Sequence, residues 1–330
     1  MPCKQAVRTG DAQTGAVRGA TAMAGTTPEP SDPRAPDATR PVVDQHGAAW
    51  PIPPTTPQGP LTGLRVLDLT RILAGPFATM QLADLGADVL KVESPRRGDE
   101  TRHWGPPFTD DGVATYYLAV NRSKRSITLD LDDEEAAAIA RRLAATADVV
   151  VDNFLPGRMH RFGLDTASIR AENPGVITAT ITGFAADSPH AGRPGFDLIA
   201  QAMGGLMAIT GAEGGPPQRV GVAIADLLCG LHLNQGVLAA LHERNLTGEG
   251  RHVEIALLDA QVASLANVAS AWLNGGVPMT RRGSDHASIA PYGVIEAADG
   301  PLVIAVGTDD QFARLVETLG VPDLAADPRF

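Results

Sequence analysis

The sequence predicts an α/β protein built on a doubly wound parallel sheet. Three observations predict it. Short β-branched apolar runs recur along the chain, a helix-length segment follows most of them, and glycines or acidic residues mark the junctions. Strands that alternate with helical segments imply parallel pairing, because a parallel crossover needs a dozen or more residues and is usually a helix.

The elements follow in order. "RVLDLT" reads as a buried strand, and "GPFATMQLADLG" as a helix with Pro76 in its first turn and Gly86 at its end. "DVLKVE" is a second strand. "RSITLDL", "DDEEAAAIARRLAATA" and "DVVVDNF" repeat the strand–helix–strand unit, with acidic residues at the helix N-terminus, where its dipole favours them. "GVITATITGF" is a further strand, "LIAQAMGGLMAIT" a helix and "RVGVAIA" a short strand. "DLLCGLHLNQGVLAALHERN" is a long apolar helix closed by "TGEG". "RHVEIALLDAQVASLANVASAWLNGG" supplies one strand and one helix. "VPMTRRGSDHASIAPYG" is a polar linker. "GVIEAADGPLVIAVG" is a hairpin turning at "ADG", and "DDQFARLVETLGV" is an amphipathic helix.

Residues 1–60 carry no hydrophobic period and are rich in Ala, Thr, Pro and Gly, so they are expected to form a disordered tail. Residues 61–275 are expected to form the large α/β domain. Residues 276–330 are expected to form a linker and the start of a smaller α+β domain. The 330 residues suffice for a sizeable core, and the net charge of −11 argues against nucleic acid or an anionic membrane as main partner. Two cysteines, Cys3 and Cys229, fit a reducing cytoplasmic location rather than a disulfide framework. The nucleotide, zinc and nucleophile-elbow motifs are absent, and no metal site is expected.

One feature stands apart. Between Arg219 and Glu243 the sole formal charge is Asp226, set where "VGVAI" gives way to the long helix. Asp at such a place is an N-cap, or a nucleophile at the C-terminal end of a strand, where open α/β sheets place ligands. The two roles can coexist.

Six motifs in order, "GLRVLDLTRILAGPFATMQLADLGADVLKVESPRRGDETR", "YYLAVNRSKRSITLDL", "ADVVVDNFLPGRMHRFGLD", "PGFDLIAQAMGGLMAITG", "VGVAIADLLCGLHLNQGVLAAL" and "TGEGRHVEIALLDA", make the chain resemble the family III CoA-transferases from about Leu61 onward. That group includes formyl-CoA and carnitine CoA-transferases and α-methylacyl-CoA racemase. The resemblance implies a Rossmann-like large domain, interlocked homodimers, and transfer of CoA from an acyl-CoA to a carboxylic acid, with no tightly bound cofactor. It implies that Asp226 is the nucleophile, forming an aspartyl anhydride and an aspartyl-CoA thioester. It places Ile72, Leu73 and Ala74 along CoA, Arg97 and Lys124 near its phosphates, and Asn153, Phe154 and Arg161 at its adenine and phosphate end. Phe196, Asp197 and His286 are expected near the substrate. Racemases of the family carry a proton-moving His where Phe196 stands, so racemase or isomerase activity is the alternative reading and transfer the favoured one. Family chains continue beyond "ADPRF". An inactive fragment, or a subunit that binds CoA or a companion chain supplying the rest, is therefore the other alternative.

Overall fold

The computed structural model describes residues 58–329 apart from Met279. The expected disordered tail lies almost wholly outside these residues. The chain enters the fold through β1 (Arg65–Asp68), α1 (Ala74–Asp84) and β2 (Asp88–Glu93). It continues through α2 (Thr115–Asn121), β3 (Arg125–Thr128), α3 (Glu134–Thr146) and β4 (Val149–Asp152). Next come α4 (Arg158–Arg161), α5 (Thr166–Glu172) and β5 (Ile177–Thr182). Then α6 (Asp197–Met203), α7 (Leu206–Ile209), α8 (Ile224–Thr247) and β6 (His252–Ala256) complete the sheet.

The six strands lie in the order β3-β2-β1-β4-β5-β6, every adjacent pair parallel. This is the doubly wound arrangement expected, and the strand order reverses between β1 and β4. Strands buried on both faces read as continuous apolar runs, and Val66, Leu67, Val149, Val150 and Val151 are all buried. On one face α1 and α8 cover the sheet with Ala78, Leu82, Cys229, Leu233 and Val237. On the other, α3 and α5 contribute Ala140, Leu143, Ala144 and Ile169. Among the described residues α8 is the one helix long and apolar enough to cross a membrane. Here its apolar surface packs on α1, β5, β6 and α9 (Leu257–Ala263). Beyond α9 lie α10 (Ala266–Gly275), a hairpin of β7 (Tyr292–Ala297) and β8 (Gly300–Ala305), and α11 (Asp309–Thr318).

Three elements differ from the sequence reading. "RVGVAIA" is not a strand: it pairs with no strand of the sheet, and β6 takes the place beside β5. Its Val220 and Ala225 N–H groups bond side chains of α6 instead. "LIAQAMGGLMAIT" is two helices. Gly205 turns left-handed at φ 87° between them, and a Cβ on Gly204 would sit 1.4 Å from Gln261 Oε1. The helix after β6 also breaks in two, at Ser264 and Leu265.

Beneath the C-terminal end of β1 lies a buried charge cluster. Asp68 accepts from Lys124 Nζ (3.1 Å), Thr79 Oγ1 (2.7 Å) and Thr70 N (2.9 Å). Lys124 also donates to Pro76 O and Asn121 Oδ1. Lys91 Nζ donates to Thr70 O at 2.7 Å and lies 3.0 Å from Asp99 Oδ2. The latter contact is close but not aligned as a hydrogen bond, so its attraction is chiefly Coulombic. Burial is the largest single influence on Asp68 and opposes its charge. Lys124, Lys91 and the Thr70 and Thr79 hydroxyls together outweigh it and hold the carboxyl well below the usual carboxylate range. Burial lowers the Lys124 ammonium to about 8 against the pull of Asp68.

Removing one partner of such a pair strands the other charge. Lys91→Met is expected to destabilise the fold by about 3–5 kcal/mol, read as a lowered urea midpoint with an unchanged m-value.

Candidate active site

The site begins at the β1–α1 turn. Asn153, just past β4, clamps Arg71 from both sides: Arg71 N donates to Asn153 Oδ1 (3.0 Å), and the Asn153 amide donates to Arg71 O (2.7 Å). Ile72 has φ 74°. A β-branched residue in the left-handed region is strained by ~1–3 kcal/mol and persists where its surroundings over-determine it. Ile72 N donates to Asp99 Oδ1 at 3.3 Å, so the cluster under β1 helps hold the turn.

Beside this turn a cleft of about 270 Å³ opens at the C-terminal ends of β4 and β5. Ile72, Ala74, Asn153, Phe154, Phe196 and Asp226 all line it, with two guanidinium side chains, Arg71 and Arg193. A smaller cavity of about 190 Å³ lies over the ends of β1, β2 and β3, and Arg71 and Phe154 line both. Arg71 stacks over the Phe154 ring at 5.3 Å and pairs with Glu100 at 2.7 Å. The two openings flank the point where strand order reverses, the place where open α/β sheets bind ligands.

Asp226 stands in the first turn of α8, but Ala223 occupies the N-cap position and no side chain caps the helix. The N-cap role is therefore not what this residue performs. The nearby helix donor, Ala225 N, is taken by Asp197 Oδ1 at 2.8 Å. Among the described residues nothing donates to the Asp226 carboxylate. Burial, and then the negative charge of Asp197, push its carboxyl up to about 7. Near neutral pH Asp226 thus exchanges between acid and carboxylate, and its charged form is poorly solvated, which suits a nucleophile or a proton acceptor. The α8 N-terminus supplies a partly positive field that favours the charged form.

Of the other expected site residues, Asp197 sits behind the cleft at the start of α6, and Leu73 points into the core. Arg161 is exposed and pairs at 3.0 Å with Asp132, a wall of the smaller cavity. Arg97 is exposed beside Gly98 of that cavity. His286 packs at 5.2 Å on Tyr292 of the hairpin and does not line the Asp226 cleft. Lys124, expected beside CoA phosphates, is buried with only 2% of its side chain exposed, is bound to Asp68 and lines neither opening. The sequence alone does not single out other residues of the cleft: Arg71 follows β1, and Arg193 stands two residues before "GFD". Tyr116 of α2 lies within electrostatic reach of Asp226 and Asp197; burial first and those charges next raise its phenol. Gln201 is one helical turn from Asp197, a spacing visible in the sequence.

Residues 61–330 match the family model for CoA-transferase family III. The succinate–glutarate CoA-transferase of Agrobacterium fabrum is 48% identical over 276 residues, covering 82% of this chain and 69% of the relative. The succinyl-CoA:glutarate CoA-transferase of Mus musculus is 46% identical over 271 residues, covering 82% of this chain and 62% of the relative. The match therefore spans between 62% and 69% of those two relatives' length. A CAIB/BAIF family protein from Brucella suis superposes with a TM-score of 0.74 at 48% identity, covering 82% of this chain and 72% of that one.

A carboxyl whose folded value is raised weakens the fold as pH rises above its unfolded value, because folding then requires either proton uptake or burial of the charge. Asp226→Asn is therefore expected to stabilise the protein by ~2 kcal/mol at pH 8, fading toward pH 4, as checked by thermal unfolding across that range.

Proposed function

The chain belongs to CoA-transferase family III, and from that premise we propose that it moves CoA from an acyl-CoA donor to a carboxylic acid, with Asp226 as the nucleophile. The observation that carries the reading is a carboxylate with no hydrogen-bond donor among the described residues, set in a cleft and raised to about 7. An Asp226 oxygen attacks the thioester carbonyl and the CoA thiolate departs, leaving a mixed aspartyl–acyl anhydride. The thiolate then attacks the aspartyl carbonyl, releasing the first acid and forming an aspartyl-CoA thioester. The acceptor carboxylate attacks that thioester, CoA leaves again, and the thiolate returns to the acceptor's acyl group in the new anhydride, freeing Asp226. One difficult exchange becomes a series of easier acyl transfers. Ile72, Phe154, Phe196 and Leu257 give the cleft apolar walls, which favour exclusion of water from two hydrolysable intermediates.

The relatives' names include succinate and glutarate, both dicarboxylic acids, and we extend that class of acid to this chain. Arg71 and Arg193 give the cleft two cations suited to anionic ligands. The smaller cavity, joined to the cleft through Arg71 and Phe154, takes the nucleotide end of CoA in this reading. Phe196 has no proton to move, so racemisation is not favoured. A homodimer is part of the proposal, supported by α10, which buries none of its residues and exposes Trp272 and Leu273. A cytoplasmic setting fits the free, buried Cys229.

Incubation with succinyl-CoA followed by hydroxylamine or borohydride, and then peptide mass spectrometry, tests the nucleophile. Modification is expected at Asp226 and absent in Asp226→Ala. A dimeric wild-type sample without an adduct across a panel of acyl-CoAs would refute the assignment.

A further inference from the structure

α6 is two turns long, yet two of its side chains hold the segment that delivers Asp226. Gln201 is fully buried. Its amide nitrogen donates to Asp197 Oδ2 at 2.7 Å, one turn earlier in the same helix. Its amide oxygen accepts from Val220 N at 2.9 Å. Asp197 Oδ1 accepts from Ala225 N at 2.8 Å, so both carboxylate oxygens are engaged. The orientation of the Gln201 amide is settled by this network, since the reverse would set oxygen against carboxylate and nitrogen against N–H. Between Val220 and Ala225 the chain is neither helix nor strand until Ile224. Two of its backbone donors end on one short helix, and Asp226 follows directly.

We infer that Gln201 is a positioning residue for the transfer reaction: by bridging Asp197 to Val220 it fixes the segment that presents Asp226. The inference rests on the reading of Asp226 as nucleophile. A hydrogen bond to a carboxylate favours its charged form, and a charged neighbour opposes ionisation of a second carboxyl. The groups that bear on Asp226 come from several elements. Asp197 reaches it from α6, Tyr116 from α2 and Cys229 from α8 itself. Asp259 of α9 acts on Cys229, and Arg71 and Arg193 line the same cleft. Among these, Asp197 is the charge that raises Asp226, and Gln201 is its side-chain donor.

Gln201→Met keeps the volume but removes both the donor to Asp197 and the acceptor of Val220 N. Loss of the Val220 bond loosens the nucleophile, so kcat falls about tenfold while KM for succinyl-CoA changes less than about twofold.

The test is a double-mutant cycle on kcat and KM for succinyl-CoA transfer to glutarate. Gln201→Met is expected to lower kcat about tenfold in the wild-type background and less than about threefold in the Asp197→Ala background, where the bridge is already broken, with KM for succinyl-CoA within about twofold in both. Gln201→Asn, one methylene shorter, is expected to lose less of kcat and carries the test if the Met variant fails to fold. An unchanged kcat, a KM that rises in step with the fall in kcat, or an equal fall in both backgrounds overturns the inference. The Asp226 adduct is measured on the same wild-type sample. Its absence refutes the parent reading and this inference with it, whereas an intact adduct with an unchanged kcat in Gln201→Met refutes this inference alone.

Discussion

Everything at the ligand end of the sheet depends on the two lysine–aspartate pairs buried under β1. Taking four charges out of water costs several kcal/mol per ion even after relaxation. Such a cluster persists where nearly every charge finds partners, and here Asp68 accepts from a lysine, two threonine hydroxyls and a backbone N–H. Lys124 reaches forward to Pro76 O in the first turn of α1, Lys91 to Thr70 O, and Asp99 to Ile72 N. Each contact ends on backbone between Thr70 and Pro76, in the turn that follows β1 or the first turn of α1. The cluster thus serves as a rigid bed for a strained loop, and Asn153 closes it from the β4 side.

The surroundings of Asp226 are built on the opposite plan. Around Asp68 donors converge; around Asp226 they are withheld. Ala225 N is diverted to Asp197, and Val220 N to Gln201. A carboxylate supplied with several donors is stable and weakly basic, whereas one denied them stays reactive. The same sheet end therefore holds one aspartate far below the usual range and another raised to about 7.

Much of this was legible in the sequence where the physics is local. The apolar runs of β1, β2 and β4 and the helices between them announce a parallel sheet, and a lone charge in an apolar segment marks Asp226. What the sequence concealed is long-range. Lys124 reads as a cation free for an anionic ligand because its partner lies 56 residues upstream. "VGVAI" has perfect strand composition, but the Val220 N–H and the Ala225 N–H just after it are bound by side chains of α6. The "GG" of Gly204 and Gly205 signals a close approach without naming Gln261, which makes it. The i, i+4 relation of Asp197 and Gln201 is plain on a helix, while their grip on Val220 and Ala225 exists only after folding.

Phe154 and Arg71 form the partition common to both openings. A long ligand lying across that partition would press on one ring and one guanidinium from two sides. Contacts made far from the reacting carbonyl would thereby be felt at it, so a truncated thioester lacking its nucleotide would lose turnover as well as grip.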